Sequence, residues 1–147
     1  MADPKVEHWR QRGTICMWQS RRPAGAWNLT ASDAACDALC ELLDLMRDAQ
    51  WSSKKELELK KAKVTAGHEG EPHRSATQLT IKYPKDRVPD DHWALQEQET
   101  TRKLLLEVGA ARLQELRDAV TDLKTGGGDY SIGGDQARLW IWWFLDS

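Results

Sequence analysis

Two stretches of this chain repeat their apolar residues at helical spacing, and each leaves a face that must be covered. Over Ala31 to Ala49, at about 100° per residue, Ala35, Leu39, Leu42 and Met46 fall on one side, and Asp33, Asp37, Glu41, Asp44 and Asp48 fall opposite them within about 80°. Thr30 is read as the N-cap, with the Asp33 carboxylate in the first turn. The second helix runs from about Ala110 to Thr125, with Leu113, Leu116, Val120 and Leu123 as its buried stripe and Glu115, Asp118 and Asp122 outside. Gly126 follows Lys124 where a C-cap glycine belongs.

The surface for both helices comes from segments that alternate. Lys55 to Lys63 and Ala76 to Tyr83 each have one apolar and one wet face, and Arg102 to Val108 is read as a partner for His92 to Gln98. Arg138 to Leu145 is apolar on both faces, the pattern of a central strand, and Gly13 to Gln19 adds one more. These elements predict an α+β fold: a mostly antiparallel sheet of about five strands with two amphipathic helices packed on one face. A chain of 147 residues suits a single domain, 1–147, in which the polar start 1–12 is read as free to be flexible. Val64 to Ser75 reads as a hairpin loop and Pro84 to Asp91 as a tighter, turn-rich connection. No internal repeat is legible.

Composition narrows the setting. The longest strongly apolar run, Leu139 to Leu145, is far shorter than the roughly 20 residues of a membrane helix, and Met1 to Arg12 lacks the apolar core of a secretory signal. Three cysteines at irregular spacing fit a reducing compartment better than a disulfide framework, so a cytoplasmic location is expected. Net charge is −2, although the segment from Lys5 to Arg22 sets five basic residues against Glu7. Arginines interleaved with Trp9, Trp18 and Trp27 there would stack on single-stranded nucleic acid, but the whole-chain balance lacks the phosphate-neutralising field that such binding needs.

The local motifs mostly resolve into plain structure. His68-Glu69-Gly70-Glu71-Pro72-His73 has the wrong histidine spacing for a helical zinc-peptidase site, and Gly70 and Pro72 forbid the helix. Cys36 and Cys40 lie one helical turn apart without a proper metal-ligand spacing, and read with Cys16 as small buried hydrophobes. No metal and no cofactor is therefore expected. The glycine-rich stretch from Gly126 to Asp135 follows a helix and meets its negative dipole end, which disfavours phosphate; Gly127, Asp129, Tyr130 and Asp135 are its candidate ligand residues. The plainer reading is a helix stop and a turn into the last strand. Catalysis has no local support, although acid–base sites assembled from distant groups, such as Asp129 with Glu107 or His92, leave no signature in one sequence.

Eight tryptophans against one phenylalanine are the most informative count. Alternation sends Trp140 and Trp142, joined by Phe144, to one face of the last strand and Leu139, Ile141 and Trp143 to the other. If the helices cover the second set, the first is an aromatic strip on the far face: a binding platform if exposed, a second small core if Trp18, Trp27 or Trp93 folds over it. The expected function is thus an interaction module. It would meet a protein partner, or itself, through Trp140, Trp142 and Phe144 or through the row Asp33, Asp37, Glu41, Asp44 and Asp48, which suits a basic partner as in inhibitors that neutralise a toxin or nuclease. The alternative is a small-ligand protein or enzyme with its site between the loop 126–135 and the Trp strip.

Overall fold

A computed structural model describes residues 3–19, 27–61, 74–98, 102–125, 130–133 and 138–141. The chain order is α1 (Pro4–His8), β1 (Ile15–Gln19), β2 (Trp27–Ala31), α2 (Asp33–Asp48), β3 (Ser53–Glu58), β4 (Arg74–Ser75), β5 (Gln78–Tyr83), β6 (Trp93–Glu97), β7 (Lys103–Val108), α3 (Ala110–Lys124), β8 (Tyr130–Ile132) and β9 (Leu139–Ile141). The α+β class is as the periodicities predict, but the single sheet of about five strands is not. The strands form two mixed sheets, sheet I with the order β4-β1-β2-β9-β8 and sheet II with the order β3-β5-β7-β6. Each contains one parallel contact, β2 with β9 and β5 with β7, among antiparallel ones. The parallel pairing arises in sheet II because β6 lies outside β7 and leaves β5 to meet β7 directly. Alternation within a strand fixes which face is wet, and it carries no record of which strand lies beside it.

Beneath this lies a repeat that the residues do not advertise. Apart from the two-residue β4, which lies between β3 and β5 and joins sheet I at its edge, the successions β1-β2-α2-β3-β5 and β6-β7-α3-β8-β9 are the same: antiparallel pair, helix, antiparallel pair. Each sheet takes the first pair of one unit and the second pair of the other, so exchanging the units carries β1-β2-β9-β8 onto β6-β7-β5-β3. Register obeys the exchange: Leu29 sits opposite Ile141 as Leu106 sits opposite Ile81, and Leu139 opposite Ile132 as Leu79 opposite Leu57. The helices obey it too. They run antiparallel, with Asp37 meeting Lys124, Cys40 meeting Thr121 and Asp44 meeting Arg117. Cys40 and Arg117 are 77 positions apart, as are Asp44 and Thr121, so the last two contacts are mates under the exchange.

Both helices turn their apolar stripes to the inner faces of the sheets. Leu39, Leu42, Leu43 and Met46 of α2 and Leu113, Leu116, Val120 and Leu123 of α3 join Ile15, Met17, Leu29, Leu79, Ile81, Leu104, Leu106, Leu139 and Ile141 in one core. The α2 N-cap is Ser32, not Thr30, which is buried in β2. The Ser32 hydroxyl accepts from the Ala35 amide at 3.4 Å and from the Thr14 amide at 2.9 Å, tying the helix start to the approach of β1. Gly13 passes so close to this cap, with φ 73°, that a Cβ would lie 2.5 Å from both Ser32 Oγ and the Ala35 nitrogen. Helix α3 begins at Gly109 without a side-chain cap, and its Ala111 amide donates instead to the Asp90 carbonyl at 2.9 Å. A Cβ on Gly109 would lie 2.0 Å from the Pro89 carbonyl, so only glycine lets the turn-rich connection dock there.

The N-terminal stretch expected to be flexible holds α1, capped by Asp3, and buries Val6 and Trp9. The Trp9 indole donates to the Ala38 carbonyl at 2.7 Å. The expected loop Val64 to Ser75 ends in a strand, since Arg74 and Ser75 form β4 against β1; the rest of it lies outside the described residues.

Candidate functional site

The far face of sheet I is built from the alternate residues of its strands. Ser75, Trp18, Asn28, Trp140 and Ser131 stand in one cross-strand row, with Cys16 and Thr30 facing each other in the next. Leu139 and Ile141 turn inward to the core and Trp140 turns outward. Cys16, Trp18, Asn28 and Thr30 are buried on this outward side, Trp18 at 1% exposure and Asn28 at 0%. The Asn28 side chain donates to the Trp18 carbonyl at 3.2 Å. Trp140 is half-buried, and the Arg138 guanidinium lies 5.6 Å from its ring centroid, a stacked cation on an aromatic plate. Trp142 and Phe144, the other members of the strip, lie outside the described residues, as do Gly127, Asp129 and Asp135. Tyr130 opens β8.

The acidic row of α2 is spoken for inside the molecule. Asp37 accepts from Lys124 at 2.7 Å, Glu41 pairs with Arg12 at 3.2 Å, Asp48 with Arg47 at 3.1 Å, and Asp44 takes both Arg117 Nε at 2.7 Å and Arg117 Nη2 at 3.2 Å. The hydrogen bond from Arg47 holds the Asp48 carboxyl below its ordinary value. Asp33 sits in the first turn of α2, where a carboxylate suits the helix dipole. The row is therefore a seam between two helices and the N-terminal segment, in which most of the charge is met locally.

A third constellation lies on the far face of sheet II. His92 Nε2 is 2.9 Å from Glu107 Oε1, and Lys82 Nζ is 3.6 Å from Glu107 Oε2. The sequence offers Asp129 with either Glu107 or His92 as a dispersed acid–base site; the fold instead brings His92 and Glu107 together, and Asp129 is not among the described residues. Among the described residues no three His, Cys, Asp or Glu side chains converge as metal ligands, and His68 and His73 are outside them.

All three cysteines are free thiols. Burial, with Cys40, Asp33 and Asp37 nearby, pushes the Cys36 thiol up to about 12 and keeps it protonated. Cys40, less buried, has its sulfur 3.3 Å from Thr121 Oγ1.

Two features escaped the reading of the residues. Trp51, in the turn between α2 and β3, is 44% exposed; a tryptophan between a helix end and a serine pair has no periodic face to bury, which is the signal that would have found it. The second is the outer edge of β3, whose Glu56 and Glu58 read as the wet half of an alternating strand and nothing more. The chain matches no protein-family model, and no curated protein matches it in sequence.

Proposed function

We propose that this protein is an interaction module of a reducing compartment, which meets a protein partner through the far face of sheet I around Trp140. The observation that carries the reading is Trp140 itself: it stays half-exposed, with the Arg138 guanidinium over its ring, beside Trp18 and Asn28, which are buried. A large aromatic on a sheet face and a guanidinium beside it are the residue types that dominate binding energy at protein interfaces. Three free thiols support the compartment. The acidic row of α2 is the weaker candidate, because its carboxylates already have cations within the chain and a basic partner would have to displace them. The test is quantitative capture from the native host with wild type and Trp140→Ala, followed by direct binding of the purified partner. A partner whose affinity drops about tenfold or more with Trp140→Ala carries the reading. Equal affinity for both chains removes this face.

A second reading rests on the His92–Glu107 pair. An imidazole hydrogen-bonded to a carboxylate, with Lys82 beside it, is an oriented base next to a cation, the minimum for proton transfer on a bound anion. Binding of a small carboxylic acid that shifts the His92 ring resonances, and that Lys82→Met abolishes, would favour it over the interaction module.

A further inference from the structure

Strand β3 forms one edge of sheet II, and its ladder parity determines which of its main-chain groups face outward. The Leu59 amide donates to the Thr77 carbonyl at 3.1 Å, continuing the antiparallel register of β3 with β5, so the odd-numbered residues bond to β5 and Lys54, Glu56 and Glu58 turn amide and carbonyl outward. Such a row is a template for another strand. The N-terminal segment lies along it. The Gln11 carboxamide donates to the Glu58 carbonyl at 2.7 Å and accepts from the Glu58 amide at 2.8 Å, as a peptide unit of a neighbouring strand would. On one side of this rung the Lys60 amide donates to the Ile15 carbonyl at 2.9 Å, and on the other Lys55 Nζ donates to the Glu7 carbonyl at 2.9 Å. The segment is pinned from behind, since Val6 and Trp9 are buried and the Trp9 indole donates to the Ala38 carbonyl of α2. A side chain that closes a rung differs from an added strand in one respect: it presents no new row of main-chain groups, so pairing stops there.

Beyond Gln11 the edge opens at Glu56 onto a cleft of about 410 Å³, lined by Arg10, Lys55 and Lys60 as well as by Glu56 and Glu58, so it selects neither sign of charge. Lys54, Glu56 and Glu58 are exposed on one face of the strand, and among the described residues none of them has an ion-pair partner; Glu56 accepts from the Gln78 amide at 3.2 Å. A lysine at one end of the row and a glutamate at the other is the pattern of a self-complementary strand. Two copies of β3 laid antiparallel about a two-fold axis at Glu56 set Lys54 of each copy opposite Glu58 of the other. Glu56 then meets its own copy on the axis, one like-charge contact against two opposite-charge ones. This register needs the Glu58 amide and carbonyl, the groups that Gln11 holds.

We propose that the N-terminal segment, residues 3–15, guards the β3 edge, and that Gln11 is its stop: by closing the rung at Glu58 with a side chain, it keeps the chain from pairing through β3 with a second copy of itself. The guard is separate from the Trp140 face and does not depend on it.

The experiment compares amide hydrogen exchange and sedimentation equilibrium of the full chain with those of Gln11→Ala, a change at a partly exposed side chain outside the core. In the variant the Glu58 amide should exchange about tenfold faster, while the Leu57 and Leu59 amides, bonded to β5, keep their wild-type rates and show that sheet II is intact. Wild type should remain a monomer at millimolar concentration, where Gln11→Ala should form a dimer. Adding Lys54→Glu should weaken that dimer by about tenfold, and combining Lys54→Glu with Glu58→Lys should restore it, because exchanging the signs re-forms both pairs. Glu56→Gln, which removes the like-charge contact on the axis, should strengthen it. Wild-type exchange at Glu58 in Gln11→Ala, a variant that stays monomeric, or a wild type that already dimerises would overturn the guard. A dimer unmoved by Lys54→Glu, not restored by the exchanged pair, or weakened by Glu56→Gln would overturn β3 as the surface that Gln11 protects.

Discussion

Sheets I and II are one arrangement used twice, and they part company on the side away from the helices. Under the exchange of units, the row Trp18, Asn28, Trp140, Ser131 of sheet I corresponds to Gln96, Leu105, Thr80, Glu56 of sheet II. Trp18 and Asn28 are buried; none of the four in sheet II is. The inner faces are alike because both meet the same pair of helices, and any exchange there has to conserve volume. The outer faces are under no such constraint: one buries Cys16, Trp18, Asn28 and Thr30 and leaves Trp140 half-exposed, and the other is wet and charged. What distinguishes the two halves is therefore what each does with the face the fold leaves free.

The largest effect that would break this comparison is at its most unequal pair of positions. Trp18→Ala should cost about 3–5 kcal/mol by urea denaturation, through lost burial and the cavity left behind. Gln96→Ala, at the corresponding place in sheet II, should change stability by no more than about 0.5 kcal/mol. Similar costs at the two positions would mean that the far face of sheet I is not a packed layer. The inner faces give the opposite expectation. Leu29→Ala and Leu106→Ala, mates under the exchange and both buried, should each cost about 2–5 kcal/mol and agree to within about 1 kcal/mol. A large difference would show that the shared topology does not carry shared packing.

This division also explains what could be read in advance. The helices were legible because their apolar residues recur on one face over four turns, and Leu79, Ile81, Leu104 and Leu106 were legible as inward because they alternate. Thr30 misled as an N-cap because it lies two residues before Ser32, in the same Thr-Ala-Ser run, and β2 ends between them. The repeat was hidden because only inward positions keep their character, and Leu29 with Leu106 or Ile141 with Ile81 are too ordinary to register as a motif. Parallel contacts, the division into two sheets and the ion pairs that occupy the α2 acids all depend on residues far apart in sequence, whose juxtaposition no local period encodes. Trp140 could be assigned to its face by alternation; the rung made by Gln11 at Glu58 could not, since it joins a loop side chain to a strand 47 positions away.

The helix seam tests whether the two units are also unlike in chemistry. Cys36 lies on the α2 side with its thiol pushed up from 9.0 to about 12, and Leu113 holds the corresponding place on α3. A thiol whose pKa is higher folded than unfolded contributes stability that is full below about 9 and is lost as pH rises toward 12, because the unfolded chain gives up its proton first. Thermal melts between pH 8 and 10.5, roughly, should show stability falling at up to about 1.4 kcal/mol per pH unit above the lower value. Cys36→Ala should remove that part of the slope whatever it does to stability at neutral pH; an unchanged slope would show that the thiol ionises freely in the folded chain.

The smallest effect is the most specific to the pseudo-symmetry. Asp44 with Arg117 and Cys40 with Thr121 are the same contact made twice across the seam, once as a bidentate ion pair at 2.7 and 3.2 Å and once as a thiol–hydroxyl approach at 3.3 Å. The ion pair is about one-third exposed on each side, so water screens it, and a double-mutant cycle with Asp44→Ala and Arg117→Ala should give a coupling of only about 0.5–1 kcal/mol. The mate, cycled with Cys40→Ala and Thr121→Ala, should give less, because neither group is charged and each has another acceptor in the Arg117 carbonyl. Added salt should shrink the first coupling and leave the second alone. Equal couplings with equal salt response would mean that backbone geometry alone sets the seam; unequal ones would show two copies of one contact tuned to different chemistry, as the two outer faces are.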